Sequence, residues 1–220
     1  MRVSAVIGTL MLLGMTGCAR DAKVGRLASA AEACDIRAIK TAIAAGDALN
    51  PKDSGAAGPM EMAVAHNCSE GARLLIAAGA DANQQLGPGK MTPLLLAAMD
   101  DSGPVAKVLI AAGADVNARD EFGMTALTFA VRNGDASLAT ALIDAKADVN
   151  AKGVGGQTPL LIAVTPVPNP AMVKLLIDGG ADVNTSQGSE TILAAMRINR
   201  TRGPNEVQVE KLLLAHGAHE

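Results

Sequence analysis

Residues 92–117 read TPLLLAAMDDSGPVAKVLIAAGADVN, and most of the chain repeats this pattern. Four threonines follow one another at equal intervals, namely Thr92, Thr125, Thr158 and Thr191. A second series recurs at almost the same interval, namely Asn50, Asn83, Asn117, Asn150 and Asn184. Self-similarity at a fixed period of this length indicates a repeat architecture, in which each unit packs on its neighbours.

Each unit carries the signals of two short helices. Thr92 offers an N-cap oxygen, and Pro93 takes the first helical position, where a missing N–H costs nothing. The second helix runs to Gly113, a residue suited to the left-handed conformation at a helix end. Lys146 takes that place in the fourth unit, where a positive φ would cost about 1 kcal/mol. The asparagines fall in the extended segment after each helix pair, and we expect them to bond its backbone.

Openings such as MTPLLLAA and QTPLLIAV, with endings such as LLIDGGADVN, resemble the ankyrin repeat at this period. The resemblance covers residues 24–220 and implies an all-α repeat solenoid of six stacked repeats, each a helix-turn-helix plus a β-hairpin-like finger. The predicted repeats span residues 24–53, 54–86, 87–120, 121–153, 154–186 and 187–220. The family's Thr-Pro-Leu-His motif is incomplete, because the His position holds Glu61, Leu95, Thr128 and Leu161.

Composition excludes several classes of function. Hydrophobic residues make up 49% of the chain and aromatic residues 1%, with two Phe and no Tyr or Trp. The apolar content argues against disorder, and the missing aromatic side chains argue against a protein that stacks bases. A net charge of −3 argues against a surface that follows phosphates. We therefore expect no nucleic-acid partner. Of the two aromatic residues, Phe129 is predicted in the core and Phe122 at a finger tip.

Residues 1–17 are predicted to be a signal peptide. After Arg2, an apolar stretch runs from Val3 to Met15, and it is too short to span a bilayer comfortably. The sequence MTGC at 15–18 resembles the lipobox of bacterial lipoproteins, which implies lipidation of Cys18.

Lipidation would place the protein on the periplasmic side of the envelope. Ala19 after the cysteine implies the outer membrane, since Asp there tends to signal inner-membrane retention in that family. The lipid would be its one membrane contact, joined to the repeats by a short linker at 18–23. Ordinary cleavage, giving a soluble periplasmic protein, and an uncleaved anchor remain alternatives.

Cys34 and Cys68 both fall in turns between the helices of adjacent repeats. In an exported protein such a pair can form a disulfide. Equivalent positions in stacked helical repeats lie roughly 10 Å apart, whereas a disulfide needs Cα atoms within about 7 Å. This estimate favours two separate thiols over a disulfide.

Catalytic and metal-binding patterns are absent from the sequence. The three histidines, His66, His216 and His219, show no spacing typical of zinc ligands or of a catalytic triad. The aspartates recur at repeat positions, which favours a structural role. We predict no enzyme activity, no metal and no cofactor; an enzyme or small-ligand binder is the remaining alternative class.

The resemblance implies binding of one protein partner through finger tips and the concave face of the inner helices. The matching finger positions are Leu86, Lys90, Met91, Arg119, Glu121, Phe122, Met124, Lys152, Val154 and Gln157. On the concave face they are Met99, Asp100, Arg132 and Asn133. Phe122 is the leading hot spot, because an exposed aromatic residue at a finger tip is rarely needed for packing; the alternative is that it folds onto its own hairpin.

Resemblance to exported bacterial ankyrin proteins implies a monomeric, non-enzymatic protein of the cell envelope. Two narrower hypotheses follow from the same resemblance. One is an immunity protein that neutralises a toxin delivered to the periplasm, such as a lipase effector. The other is a peroxide-defence factor that acts beside a periplasmic catalase.

Overall fold

The computed structural model describes residues 22–50, 57–86, 89–187, 190–198 and 203–219. Within these ranges twelve α-helices follow one another in six pairs. The helices are α1 Ala22–Glu32, α2 Ile36–Ala44, α3 Pro59–Ala65, α4 Ser69–Ala77, α5 Pro93–Met99, α6 Gly103–Ala111, α7 Ala126–Asn133, α8 Ala136–Asp144, α9 Pro159–Val164, α10 Pro170–Asp178, α11 Ile192–Ile198 and α12 Pro204–Ala215. A short 3-10 turn covers Val154–Gly156.

The first helix of a repeat begins where the threonine series predicts. The Oγ1 of Thr92 accepts a hydrogen bond of 3.3 Å from the backbone N–H of Leu95, and Thr158 does the same for Leu161 at 3.3 Å. Thr125 forms a full capping box with Thr128. Thr128, which stands at the family's His position, therefore caps its own helix.

The second helix of each repeat is followed by a residue with positive φ. These residues are Gly46 at 74°, Gly79 at 99°, Gly113 at 81°, Lys146 at 69°, Gly180 at 94° and Gly217 at 89°. The predicted left-handed conformation of Lys146 is confirmed. It is the one member of the series whose Cβ makes this conformation unfavourable.

The helices stack in two layers. Odd-numbered helices α1 to α11 pack on one another as the inner layer, and even-numbered helices α2 to α12 form the outer layer. Fully buried leucines recur on the outer helices, namely Leu75, Leu109, Leu142, Leu176 and Leu213. Buried alanines recur on the inner helices, namely Ala63, Ala97, Ala130 and Ala163. Small residues let neighbouring inner helices approach closely, so the core needs few aromatic residues; Phe129 is buried, as predicted.

Three successive fingers in the described part of the chain are closed by backbone hydrogen bonds. The N–H of Leu86 donates to Met91 O at 2.7 Å, Asp120 to Met124 O at 3.1 Å, and Gly153 to Gln157 O at 2.9 Å. Strands β1 Ser186–Gln187 and β2 Glu190–Thr191 form an antiparallel hairpin after α10. The prediction of an all-α repeat solenoid with hairpin-like fingers is confirmed.

The signal peptide, Cys18 and all but residues 22 and 23 of the linker lie outside the described residues. Among the helices that the structure describes, none has both the length and the apolar character needed to cross a membrane.

Candidate functional site

Two neighbouring fingers present large apolar side chains to solvent. We call residues 114–124 the Phe122 finger and residues 147–157 the Val154 finger. Phe122 and Val154 are each 58% exposed. Phe122 is therefore exposed at the finger tip and does not fold onto its own hairpin. Exposed apolar side chains on adjacent projections are a common feature of protein-binding surfaces.

A buried aspartate holds the backbone beneath Phe122. The Oδ1 of Asp120 accepts hydrogen bonds from the N–H of Phe122 at 2.9 Å and of Met124 at 2.8 Å. Gly123, at φ 73°, reverses the chain between these two donors. Because the backbone is fixed on both sides, Phe122 projects from a rigid turn rather than from a loose loop.

The Phe122 finger is bonded to the fingers on either side. The N–H of Glu121 donates to Gly89 O at 3.0 Å on the preceding finger. Arg119 Nη1 donates to Lys152 O at 2.9 Å on the Val154 finger. The guanidinium of Arg119 also lies 3.6 Å from the carboxylate of Asp148. These contacts join three successive fingers into one platform.

The asparagine series adds a bond between each repeat and the next. Asn Oδ1 accepts from a backbone N–H one repeat later, at distances of 2.7 to 3.1 Å. The pairs are Asn50 with Asp81, Asn83 with Asp115, Asn117 with Asp148, Asn150 with Asp182, and Asn184 with His219. The predicted bonding to backbone is thus confirmed, but the backbone belongs to the neighbouring repeat. The ladder fixes the spacing of the finger bases.

Two of the predicted contact residues are buried. Leu86 is 7% exposed and Met124 8% exposed, so their side chains support the fingers and offer little contact area, contrary to the prediction. A Cβ placed on Gly153 would lie 2.7 Å from Met124 Sδ, which shows that Met124 fills the space between the two fingers.

The other finger candidates are accessible. Lys90, Glu121 and Lys152 are exposed, while Met91 and Gln157 are half-buried. Charged and apolar side chains are therefore exposed together on the same three fingers, a mixture that protein interfaces also show.

The concave-face candidates lie at the ends of α5 and α7. Arg132 places its guanidinium 4.9 Å from the ring centroid of Phe129. Asn133 Nδ2 donates to Ala98 O at 2.9 Å and Met99 O at 3.3 Å. Burial raises the pKa of the Asp100 carboxyl. Asn133 is thus bonded to the preceding repeat but stays exposed, as does Arg132, while Met99 and Asp100 are half-buried.

The turns that carry Cys34 and Cys68 are joined by a disulfide. Their Cα atoms lie 5.5 Å apart, so the expectation of two separate thiols is wrong. The estimate of roughly 10 Å applies to equivalent positions, whereas these two positions are offset within their repeats. Cys34 occupies the left-handed position of its turn, with a φ of 49°, whereas Cys68 lies one residue beyond the equivalent Asn67, whose φ is 51°.

No group of three or more His, Cys, Asp or Glu side chains in the described part of the chain could hold a metal ion. Glu61 has its carboxyl pKa raised by burial, offset in part by a hydrogen bond from the backbone of Gly58. It is a single carboxyl on α3, unlike the paired groups of acid–base sites.

Comparison with known proteins agrees with this geometry. The family model described as ankyrin repeats (3 copies) matches residues 60–153 and 94–187. A crystal structure of an ankyrin repeat domain from Acinetobacter baumannii AYE is similar at 28% identity, with a TM-score of 0.79. The match covers 88% of this chain and 98% of that chain. No curated protein matches.

Proposed function

The chain belongs to the ankyrin repeat family, and we propose that it binds one protein partner through the platform of the Phe122 and Val154 fingers. Ankyrin repeats generally mediate protein–protein interaction. The observation that carries the proposal is Phe122, 58% exposed on a turn fixed by two hydrogen bonds to Asp120. A rigid aromatic side chain loses little conformational entropy on binding and buries a large area.

The platform also explains why binding would be specific. Val154 projects from the next finger, so a partner that covers both tips would meet apolar side chains from two repeats. Lys90, Glu121 and Lys152 supply charges of both signs on the same three fingers, which favours a partner with complementary charges. Met99 and Arg132 extend the surface toward the concave face.

We place this interaction in the bacterial cell envelope, with the protein anchored through Cys18 on the periplasmic side of the outer membrane. The signal-like residues 1–17 and the lipobox-like MTGC at 15–18 support export. The disulfide between Cys34 and Cys68 also supports it, since disulfides persist in oxidising compartments.

Capture of the partner from envelope extracts tests the binding proposal. Immobilised wild-type protein, Phe122→Ala and Val167→Ala are compared by quantitative mass spectrometry, followed by Kd measurement on the captured protein. Val167 is a matched control, because it is 73% exposed but lies between α9 and α10, away from the fingers. We expect Phe122→Ala to weaken binding about 30-fold, the effect of losing a hot spot worth about 2 kcal/mol. Equal binding by Phe122→Ala and wild type would refute the proposed platform.

The identity of the captured protein separates the narrower roles. A delivered lipase would specify an immunity protein, and a catalase would specify peroxide defence. Anchoring is tested by labelling cells with radioactive palmitate: wild type is expected to incorporate label and Cys18→Ser to lose it. Equal labelling of both proteins would contradict lipidation of Cys18.

A further inference from the structure

The Cys34–Cys68 disulfide has very different surroundings at its two ends. Cys34 is exposed in the turn between α1 and α2. Cys68 is 1% exposed, directly before α4. An external thiolate must approach the sulfur that it attacks along the S–S axis, so accessibility decides which sulfur reacts. Cys34 is therefore the more accessible end of the disulfide.

Cys68 is covered by the first repeat. A Cβ placed on Gly71 would lie 2.8 Å from Cys68 Sγ and 3.1 Å from Ile39 Cδ1. Both side chains therefore border the same narrow space beside Gly71. Ile39 lies on α2 and is fully buried. As long as α2 stays packed on α4, an external thiol has no route to Cys68.

Burial disfavours a thiolate on Cys68, but its position at a helix N-terminus offsets this cost. Cys68 is the N-cap residue of α4, a helix of 9 residues, and its side chain makes no capping hydrogen bond. The unpaired N–H groups at a helix N-terminus stabilise a thiolate. Glu70 in the first turn opposes this effect, but its carboxylate is paired with Arg73 at 3.0 Å.

We propose that this disulfide is a thiol–disulfide exchange site, with Cys34 as the attacked sulfur and Cys68 as the leaving thiolate. The reductant is a small thiol or a dithiol protein. Its thiolate attacks Cys34 Sγ and forms a mixed disulfide, while the electron pair of the old S–S bond leaves on Cys68. A second thiolate then frees Cys34, so two electrons pass to the protein and the reductant becomes a disulfide.

Reduction would loosen the first repeat. Like the last repeat, it has a neighbouring repeat on one side only in the described part of the chain, and terminal repeats open more readily than central ones. The two cysteines are separated by 34 positions in the sequence, and losing a cross-link of that size raises the population of the open state by on the order of a hundred-fold or more. The inference is independent of the partner-binding platform, which is built from later repeats.

The first test uses the intact wild-type chain. The oxidised protein is incubated with reduced glutathione without denaturant, quenched by alkylation and mapped by peptide mass spectrometry, which keeps Cys18 separate. We expect glutathione on Cys34 and the alkylating label on Cys68. Glutathione on Cys68 to an equal extent, or no reaction until denaturant is added, would overturn the proposal.

The two single variants provide a matched comparison. Cys68→Ser, which leaves Cys34, is expected to react with glutathione disulfide at least tenfold faster than Cys34→Ser, which leaves Cys68. In urea the two rates should become equal. Equal rates in the folded state contradict the proposal, and if a variant does not melt cooperatively the wild-type mapping decides.

Hydrogen exchange then tests the consequence. Compared with the oxidised wild type, the double variant Cys34→Ser/Cys68→Ser is expected to lose amide protection in α1 and α2 and to keep it in α7 and α8. Unchanged protection in α1 and α2 would show that the cross-link does not control the first repeat.

Discussion

The Phe122 and Val154 fingers present equally exposed apolar tips, but different residues hold the backbone beneath each tip. The Phe122 finger follows Gly113 and is braced by Asp120. The Val154 finger follows Lys146, and one repeat after Asp120 it has Gly153 at the equivalent place. Its closure is carried by backbone bonds, from Gly153 N–H to Gln157 O at 2.9 Å and from Gly156 N–H to Gly153 O at 3.0 Å.

The difference shows that one scaffold can present one side chain from a fixed backbone and another from a more flexible backbone. A buried carboxylate fixes the direction of Phe122, while glycines leave the tip that carries Val154 with more conformational freedom. We expect the first finger to dominate affinity and the second to adapt to the partner. Substitutions at the base and at the tip of each finger test this contrast.

Removing the brace should have the largest effect on stability. Asp120→Ala leaves the N–H groups of Phe122 and Met124 without their acceptor, at a cost of about 2 kcal/mol. Urea denaturation followed by circular dichroism measures the loss. Asp120→Asn keeps an acceptor oxygen and should lose less than half as much. If Asp120→Ala unfolds at the wild-type midpoint, the carboxylate is not a brace.

The two tips should respond alike to a lost glycine. Gly123 and Gly156 have φ of 73° and 77°, so replacement of either by Ala should cost about 1 kcal/mol. Thermal melting of both variants checks this, with Gly123→Asn as the control because Asn tolerates the left-handed region better. A large difference between the two Ala variants would mean that the fingers differ at the tip as well as at the base.

Lys146 precedes the Val154 finger at the place where Gly113 precedes the Phe122 finger. Replacing Lys146 by glycine should stabilise the protein. Lys146→Gly removes the left-handed Cβ but increases the freedom of the unfolded chain, for a net gain of about 0.5 kcal/mol. The reciprocal Gly113→Lys should lower the melting midpoint. A melting midpoint for Lys146→Gly at or below that of wild type would show that Lys146 is not strained.

The smallest effect on stability is expected at Asp100, which caps the C-terminal end of α5 one repeat before Asn133. Burial raises the pKa of Asp100 above its ordinary value of 3.8, so the folded state binds the proton more tightly than the unfolded state. The resulting stability is present below that ordinary value and is lost as the pH rises through the raised pKa. Asp100→Asn should therefore be the more stable protein near neutral pH.

Urea midpoints at several pH values measure this difference. It should shrink as the pH falls toward about 4 and disappear below it, because the carboxyl is then protonated in both states. A difference that is independent of pH would exclude titration of Asp100 as its cause.

The repeat period determined most of what could be predicted. Helix starts at Thr92 and Thr158, the left-handed Lys146 and the separation of Phe129 from Phe122 all follow from the position of a residue within its repeat. Local hydrogen bonding and packing recur with the same period, so the position of a residue in its repeat predicts its conformation and its burial.

Features that depend on contact between repeats were not predicted. The burial of Leu86 and Met124 depends on how adjacent fingers pack. The disulfide depends on how closely two adjacent turns approach when Cys34 and Cys68 are offset by one residue within their repeats. Asp120 was missed although a signal was present, since an Asp at the start of a tight turn commonly accepts hydrogen bonds from the backbone that follows.

The asparagine ladder also has a mechanical consequence. Its bonds connect each repeat only to the next, so a chain pulled from its ends should yield one repeat at a time. Each release frees one repeat, or about 110 Å of extended chain. A force–extension record should thus show evenly spaced steps, and the loop closed between Cys34 and Cys68 should hide one step until the disulfide is reduced.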